Sequence, residues 1–322
     1  MKKSLYIVII ITSVFNSEAQ NYIRTADSLI KSFNIPELAF AKVSKDSIYN
    51  IGVVGYNRID WDTKFFDLYP DFKNNSNSEY YTITLLDLLS HRAKIQPFTD
   101  GTQYKNLPQF SGNKHQQRKN FVKEVLTLPA YSDTNKKYSY SNAGYSVAAL
   151  MLEKVSSTTW EELVDFVLKQ KLDLDYVFGW PNRYNKFQPW GHWLENEKLN
   201  PVSPNSDYSL KLAEPARDIS LRIHDMAKFL QLNIQGLSGQ DNLLKSETYQ
   251  FLHCGLDYYS IGWVNYSNEK LKISEHTGSD GTFFCFVQID RIKHLGYVIM
   301  VNSGTKKAQE GVFKMMEILK NE

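Results

Sequence analysis

Tyr138-Ser139-Tyr140-Ser141-Asn142-Ala143-Gly144-Tyr145 is the stretch on which the reading of this chain turns. It joins the polar loop Asn135-Lys136-Lys137 to a segment, Ala143 to Val155, that carries Val147, Leu150, Met151 and Val155 at helical spacing. Tyr140-Ser141-Asn142 therefore stands at the mouth of an apolar helix. Alone this is a weak signal, because a tyrosine at a helix start is usually a packed aromatic. Gly144-Tyr145-Ser146-Val147-Ala148 comes close to a nucleophile elbow, but it falls inside the helix rather than at a strand-to-helix turn, so the context for that motif is missing.

Outward toward the N-terminus, Thr84-Leu85-Leu86-Asp87 has the form of a capping box with Asp in place of Glu, and leads into a helix ending in Ser90-His91. Phe121, Val122, Val125 and Leu126 mark a further helix. Leu38 to Val43 and Ile48 to Tyr56 read as a hairpin about the turn Ser44-Lys45-Asp46-Ser47, preceded by an amphipathic helix from Asn21 to Phe33 that Pro36 ends. Toward the C-terminus, Thr159 to Leu172 reads as a helix with Trp160, Leu163 and Val167 on its apolar stripe. Tyr176 to Trp193 is a long aromatic loop without a period, a kind of segment that often lines sites. Ile223 to Ile234 reads as a helix stopped by Gly236. Tyr259 to Val264, Lys270 to Ser274, Thr282 to Ile289 and Gly296 to Val301 follow as strands. His276-Thr277-Gly278 opens a strand after the turn at Ser274-Glu275, and a last helix, Ala308 to Leu319, places Val312, Met315, Met316 and Leu319 together. The order implies an α+β fold: an antiparallel sheet drawn from both chain ends (about 20–60 and 255–322) with a helical region (about 61–254) inserted between them.

Composition narrows the function classes. With 42% apolar and 22% charged residues the 322-residue chain is globular, and a formal charge of +2 without a basic run offers no electrostatic footprint for nucleic acid. Lys2 and Lys3, the apolar run Leu5 to Val14 and Ser17-Glu18-Ala19 have the layout of a signal peptide, residues 1–19, so the chain is expected to be exported, to the periplasm or beyond the cell. No segment is long enough for a transmembrane anchor. The seven histidines show no metal-ligand spacing, so no metal is expected. Cys254 and Cys285 admit either a disulfide or two free thiols, and spacing does not choose between them.

Taken in order, these features resemble the serine β-lactamase-related family, which includes class C β-lactamases, penicillin-binding proteins, D-alanyl-D-alanine carboxypeptidases and related esterases. The resemblance is carried by Asn34-Ile35-Pro36-Glu37-Leu38, Trp61-Asp62-Thr63-Lys64, Asp67-Leu68-Tyr69-Pro70, Leu85 to His91, the stretch Tyr138 to Tyr145, Ile261-Gly262-Trp263 and His276-Thr277-Gly278. It implies a β-lactamase/transpeptidase-like fold, acyl transfer or hydrolysis of β-lactam, peptide or ester substrates, and no cofactor. It implies a monomer meeting a small-molecule or peptidoglycan-like ligand. By the same resemblance Tyr140 is the general base or proton relay, Asn142 bonds the substrate amide, His276 and Thr277 lie on the strand that pairs with substrate, and Gly278 allows close approach. A tyrosine acts as a base only where neighbouring cations lower its pKa.

The family's Ser-x-x-Lys nucleophile helix is missing. Tyr56-Asn57-Arg58 runs directly into Ile59-Asp60-Trp61, where a strand, a helix and their loops, about thirty residues, would stand. Ser28 to Lys31, Ser111 to Lys114, Ser267 to Lys270 and Ser303 to Lys306 match the spacing, but none opens an apolar helix. Three readings follow: a catalytically impaired, ligand-binding member; an active hydrolase with an unconventional nucleophile such as Ser141 or Ser111; or the damaged product of an internal deletion. Loss of the helix predicts a groove beside Tyr140 and His276 or a marginally stable fold.

Overall fold

The computed structural model describes residues 22, 25, 26, 28–30, 32, 33, 37–55, 59–133, 137–208, 210–267 and 272–321. The signal-peptide reading and the N-terminal side of the Arg58–Ile59 join lie outside the described residues.

The hairpin is present as β1 (Glu37–Val43) and β2 (Ile48–Gly55), paired antiparallel from Glu37↔Gly55 to Val43↔Ile48, with the turn closed by the Ser44 N–H donating to the Ser47 carbonyl at 2.8 Å. The middle of the chain is helical: α1 (Phe65–Leu68), α2 (Leu85–Leu89), α3 (Gly101–Lys105), α4 (Lys114–Val125), α5 (Asn142–Ser156) and α6 (Trp160–Val164). Their starts follow from local chemistry. Thr84 and Asp87 form a reciprocal capping box, as do Thr159 and Glu162, so orphan N–H groups at both helix mouths find side-chain acceptors. The apolar stripe of α5 buries Val147, Leu150 and Met151 against Leu85, Leu88, Phe121, Val122 and Val125, which makes α5 the axis of the helical region.

Short strands β3 (Tyr176–Phe178), β4 (His192–Glu195), β5 (Lys198–Pro201) and β6 (Ile219–Leu221) form two separate pairs, β3 with β6 and β4 with β5. Helices α7 (Ile223–Leu237) and α8 (Ser246–Cys254) lead into β7 (Tyr258–Tyr259), β8 (Val264–Ser267), β9 (Lys272–Ser279), β10 (Phe284–Asp290) and β11 (Leu295–Val301), and the chain closes on α9 (Lys306–Asn321). These last strands make one five-stranded antiparallel sheet, β11-β10-β9-β8-β7. Its faces follow the period of two: Phe284 and Phe286 pack on Val312 and Met316 of α9, while Val287 and Ile289 pack on Leu230, Leu237 and Tyr249 of α7 and α8.

The α+β class and the helical insertion agree with the sequence reading. Among the described residues the hairpin β1–β2 pairs only with itself. Gly236 does not stop α7, which runs to Leu237; a side chain there would strike the ring of Tyr249, so this glycine is a contact point between two helices. The segment after α6 continues as a π-helical turn, Asp165–Lys171, which rotates the stripe and leaves Val167 38% exposed. Cys254 and Cys285 are both free thiols, and burial pushes the Cys285 thiol up to about 11. No helix among the described residues is long and apolar enough to cross a membrane.

Candidate active site

The start of α5 is fixed by Ser141. Its backbone is extended, its Oγ accepts the Gly144 N–H at 2.9 Å, and its hydroxyl donates to the Gln96 carbonyl at 2.7 Å. That double commitment makes Ser141 a helix cap. The next residue, Asn142, is buried: its backbone N–H donates to the Pro97 carbonyl at 2.8 Å and its Nδ2 to the Phe98 carbonyl at 3.0 Å. The amide is thereby oriented, and its Oδ1 has no partner among the described residues.

Tyr140 is held by rings rather than by hydrogen bonds. His91 lies 4.1 Å from it, Tyr259 6.1 Å and His276 6.2 Å, measured between centroids. His91 is itself fixed, because its Nδ1 accepts the Ser141 N–H at 3.2 Å, which places the imidazole proton on Nε2. Burial, with His276 and Arg92 nearby, pushes His91 down to about 3, so the ring is neutral. His276 donates to or accepts from the Tyr259 hydroxyl at 3.3 Å, and burial lowers its pKa as well. Tyr140 moves the other way. Burial raises its hydroxyl above the usual phenol range, Arg217 pulls against that rise, and Tyr138 adds to it. At neutral pH the hydroxyl keeps its proton and can donate, but it is a poor proton acceptor.

β9 supplies the second set of residues. Its ladder with β10 runs the whole length of the strand, from Ser279↔Phe284 to Ile273↔Asp290. On the other side β8 pairs only from Glu275 to Lys272. The edge formed by His276, Thr277, Gly278 and Ser279 therefore has no strand partner among the described residues. A side chain on Gly278 would meet open space.

All five residues singled out from the sequence, Tyr140, Asn142, His276, Thr277 and Gly278, line one cavity of about 1650 Å³. The aromatic loop expected to line a site does so through Tyr176, Trp180, Tyr184 and Pro189. Trp180 donates its indole N–H to Asp280, whose Oδ1 also accepts the backbone N–H groups of Thr282 and Phe283 at 2.8 Å, and this ties the loop to the end of β9. Tyr259, Tyr208, Glu214, Arg217 and Asp218 line the cavity too and carry no sequence motif. The only sequence signal among them is the charged run Glu214-Pro215-Ala216-Arg217-Asp218 ahead of α7, which holds three of the five.

The other serines are placed as follows. Ser146 is fully buried in α5 and donates to the Leu212 carbonyl at 2.7 Å, so the elbow-like pattern is packing. Ser90 donates to the Leu86 carbonyl at 2.6 Å. Ser303 is buried at the entrance to α9, with its hydroxyl on Thr305 at 3.2 Å. Ser28 is exposed, as is Ser111, which lies just ahead of α4; Lys31 and Lys270 lie outside the described residues. The serines lining the cavity are Ser220, which donates to the Gly179 carbonyl at 2.7 Å, and Ser279, which donates to the Phe283 carbonyl at 2.6 Å; no lysine lines it among the described residues.

The Beta-lactamase family model matches residues 53–317. No curated protein matches the sequence significantly. Among solved structures the chain is similar to a D-amino acid amidase from Ochrobactrum anthropi SV3 complexed with D-phenylalanine, at 14% identity and a TM-score of 0.60, over 95% of this chain and 99% of that one. It is similar to a β-lactamase from Sulfitobacter sp. EE-36 at 14% identity and a TM-score of 0.59, over 95% and 100%. An octameric penicillin-binding protein homologue from Pyrococcus abyssi matches at 15% identity and a TM-score of 0.57, over 94% of this chain and 77% of that one. At these identities the structural likeness speaks for the fold, while the family model, which spans most of the chain, speaks for descent: the protein belongs to the Beta-lactamase family.

Proposed function

We propose that this protein is an exported member of the family whose cleft binds a peptide-like or β-lactam-like ligand, and that its acyl-transfer chemistry is impaired because the Ser-x-x-Lys nucleophile is missing. One observation carries the reading. The groups that orient a ligand converge on one cavity (the Asn142 amide, the Tyr140 hydroxyl and the open edge of β9), while the serines lining it are spent on backbone carbonyls. A nucleophile needs a base within hydrogen-bond reach. Tyr140, held protonated by burial, does not supply one at neutral pH. The binding half of the site is favoured by the same geometry: an extended ligand can add to the edge from His276 to Ser279 and use Asn142 Oδ1 as an acceptor for its amide N–H. In this reading the protein acts as a monomer, Thr277 and Gly278 meet the ligand backbone, and the room left by the missing helix contributes to the volume of the cleft.

The test is to incubate the purified protein with a labelled penicillin and with a general serine-reactive probe, and to search for adducts by mass spectrometry. The expected result is no adduct, together with saturable binding of the penicillin or of a short peptide in calorimetry. A stoichiometric adduct on one serine would overturn the impaired reading in favour of an unconventional nucleophile. Absence of both adduct and binding, with a broad non-cooperative melt, would instead point to a damaged gene product.

A further inference from the structure

One wall of the cleft is built from Glu214-Pro215-Ala216-Arg217-Asp218, and the protein leaves its carboxylates without cations. Glu214 sits on a 3-10 turn, Glu214–Ala216, is only 8% exposed, and has no ion pair or side-chain hydrogen bond to another residue among the described residues. Buried carboxylates are ordinarily paired, because an unpaired charge out of water is costly. Asp218 lines the same cavity, and its carboxylate also lacks an ion pair. Its backbone φ is 120°, a region that strongly favours glycine, so the chain accepts strain to keep a carboxylate at this point.

The cations whose fields reach these groups are all held elsewhere. Arg118 is paired with Glu153 and Glu161. Lys114 lies over the Phe178 ring, 5.2 Å from its centroid. Arg183 donates to the carbonyls of Ser206 and Tyr208 and stacks on Trp180 at 4.6 Å. Arg217 lies over the Tyr104 ring at 5.4 Å. Burial and the neighbouring Glu214 push Asp218 up to about 6, and burial raises Glu214, against the pull of more distant cations, the behaviour of two neighbouring carboxylates with no ion pair of their own. A divalent metal would need more oxygen ligands than this wall offers, since among the described residues no three acidic, histidine or cysteine side chains are grouped to hold one. A protonated amine needs fewer: its three N–H donors match two carboxylates and a carbonyl.

We propose that Glu214 and Asp218 form a subsite for the protonated amine of the ligand, so that the cleft selects ligands carrying a free ammonium group over the same ligands with that group blocked. The proposal rests on the reading of the cleft as a ligand-binding site and adds to it the chemical class of the ligand.

The experiment is calorimetric titration at about pH 7, where a peptide α-amine is mostly protonated, using alanyl-alanine of D configuration and its N-acetyl derivative. The proteins are the wild type and the Glu214→Gln, Asp218→Asn and Asp218→Gly variants. The first two are isosteric and remove an unpaired charge, and the third also relieves the backbone at φ 120°, so at least one folded variant is secured; thermal melts confirm it. In the wild type the free dipeptide is expected to bind about ten-fold or more tightly than the acetylated one, as charge-assisted hydrogen bonds would give. In each variant that preference should shrink to about two-fold, with the affinity for the acetylated dipeptide unchanged. Equal affinity for both dipeptides in the wild type would overturn the ammonium subsite and leave the cleft reading standing. A preference that survives in the variants would overturn it as well, since the amine would then be recognised elsewhere. Failure of both dipeptides to bind the wild type would overturn the subsite and the cleft reading together.

Discussion

His91 meets three requirements at once. Its backbone sits in the left-handed region at φ 58°, its Nδ1 accepts the Ser141 N–H, and its ring lies between Tyr140 and Tyr259. A buried imidazole that must stay neutral makes stability depend on pH. With a folded-state value of about 3 against an ordinary 6.5, the unfolded chain takes up the proton first, so the contribution is present above about pH 6.5 and is lost as pH falls toward 3. His253 behaves in the same way: it is held by Asn233 at 2.9 Å, stacked 4.3 Å from Trp263 and pushed down to about 3 by burial and Arg291. Asp218 has the opposite sign. Its raised value means the folded state holds the proton more tightly, so its contribution falls as pH rises through about 6. His276, also lowered by burial, acts with the two histidines, and Glu214, also raised by burial, acts with Asp218; three histidines against two carboxylates should leave a net loss of stability between pH 7 and 4. In urea titrations the midpoint should drop over that interval, with a shallower drop in His253→Gln; an identical drop in that variant would show that His253 is not involved. The sequence shows Ser90-His91 at a helix end, but not that Nδ1 is an acceptor, because the donor lies fifty residues away along the chain.

At the scale of elements, what could be read was local. The capping boxes at Thr84 and Thr159 close between positions i and i+3, so the sequence contains both partners. The strands of the C-terminal sheet announce themselves by alternation, as Phe284 and Phe286 on one face and Val287 and Ile289 on the other bear out. α8 was not legible: no side chain caps its start, and it buries only Tyr249 and His253, too few positions to make a period. Gly236 misleads for a related reason. Glycine near the end of an apolar run usually marks a C-terminus, but this one is read by a partner helix that the sequence does not reveal. Gly236→Ala improves intrinsic helix propensity by about 1 kcal/mol yet drives a methyl group into the Tyr249 ring. The overpacking term dominates, and a net destabilisation of about 1–3 kcal/mol is expected in chemical denaturation. A neutral or stabilising result would mean that α7 and α8 separate at little cost.

For the molecule as a whole, the helical region is tied together by charges as well as by its apolar core. Arg118 on α4, fully buried, pairs with Glu153 on α5 and with Glu161 on α6, while Glu153 also accepts from His115 Nδ1 at 2.8 Å and takes the Trp160 N–H at 2.9 Å. Removing one partner strands the others, so Arg118→Met should cost about 3–5 kcal/mol in denaturant titrations, and pairing it with Glu153→Gln should recover part of that loss. Coupling across three helices leaves no trace in local sequence, because its partners stand on separate segments; the charged run from Glu214 to Asp218 is visible in the sequence, but its place in the cleft is set by segments far from it along the chain. By contrast, the cleft residues that could be named beforehand carry short motifs of their own, Tyr140 and Asn142 at the mouth of α5 and His276, Thr277 and Gly278 within β9.

The half-paired strand β9 also bears on what can approach the sheet. An unsatisfied strand edge is the part of a sheet most ready to recruit another chain and seed aggregation. Here that edge lines the cleft, with Trp180 and Tyr208 anchored to Asp280 at its end. An edge set in a cleft leaves more room for a single extended strand than for a preformed sheet.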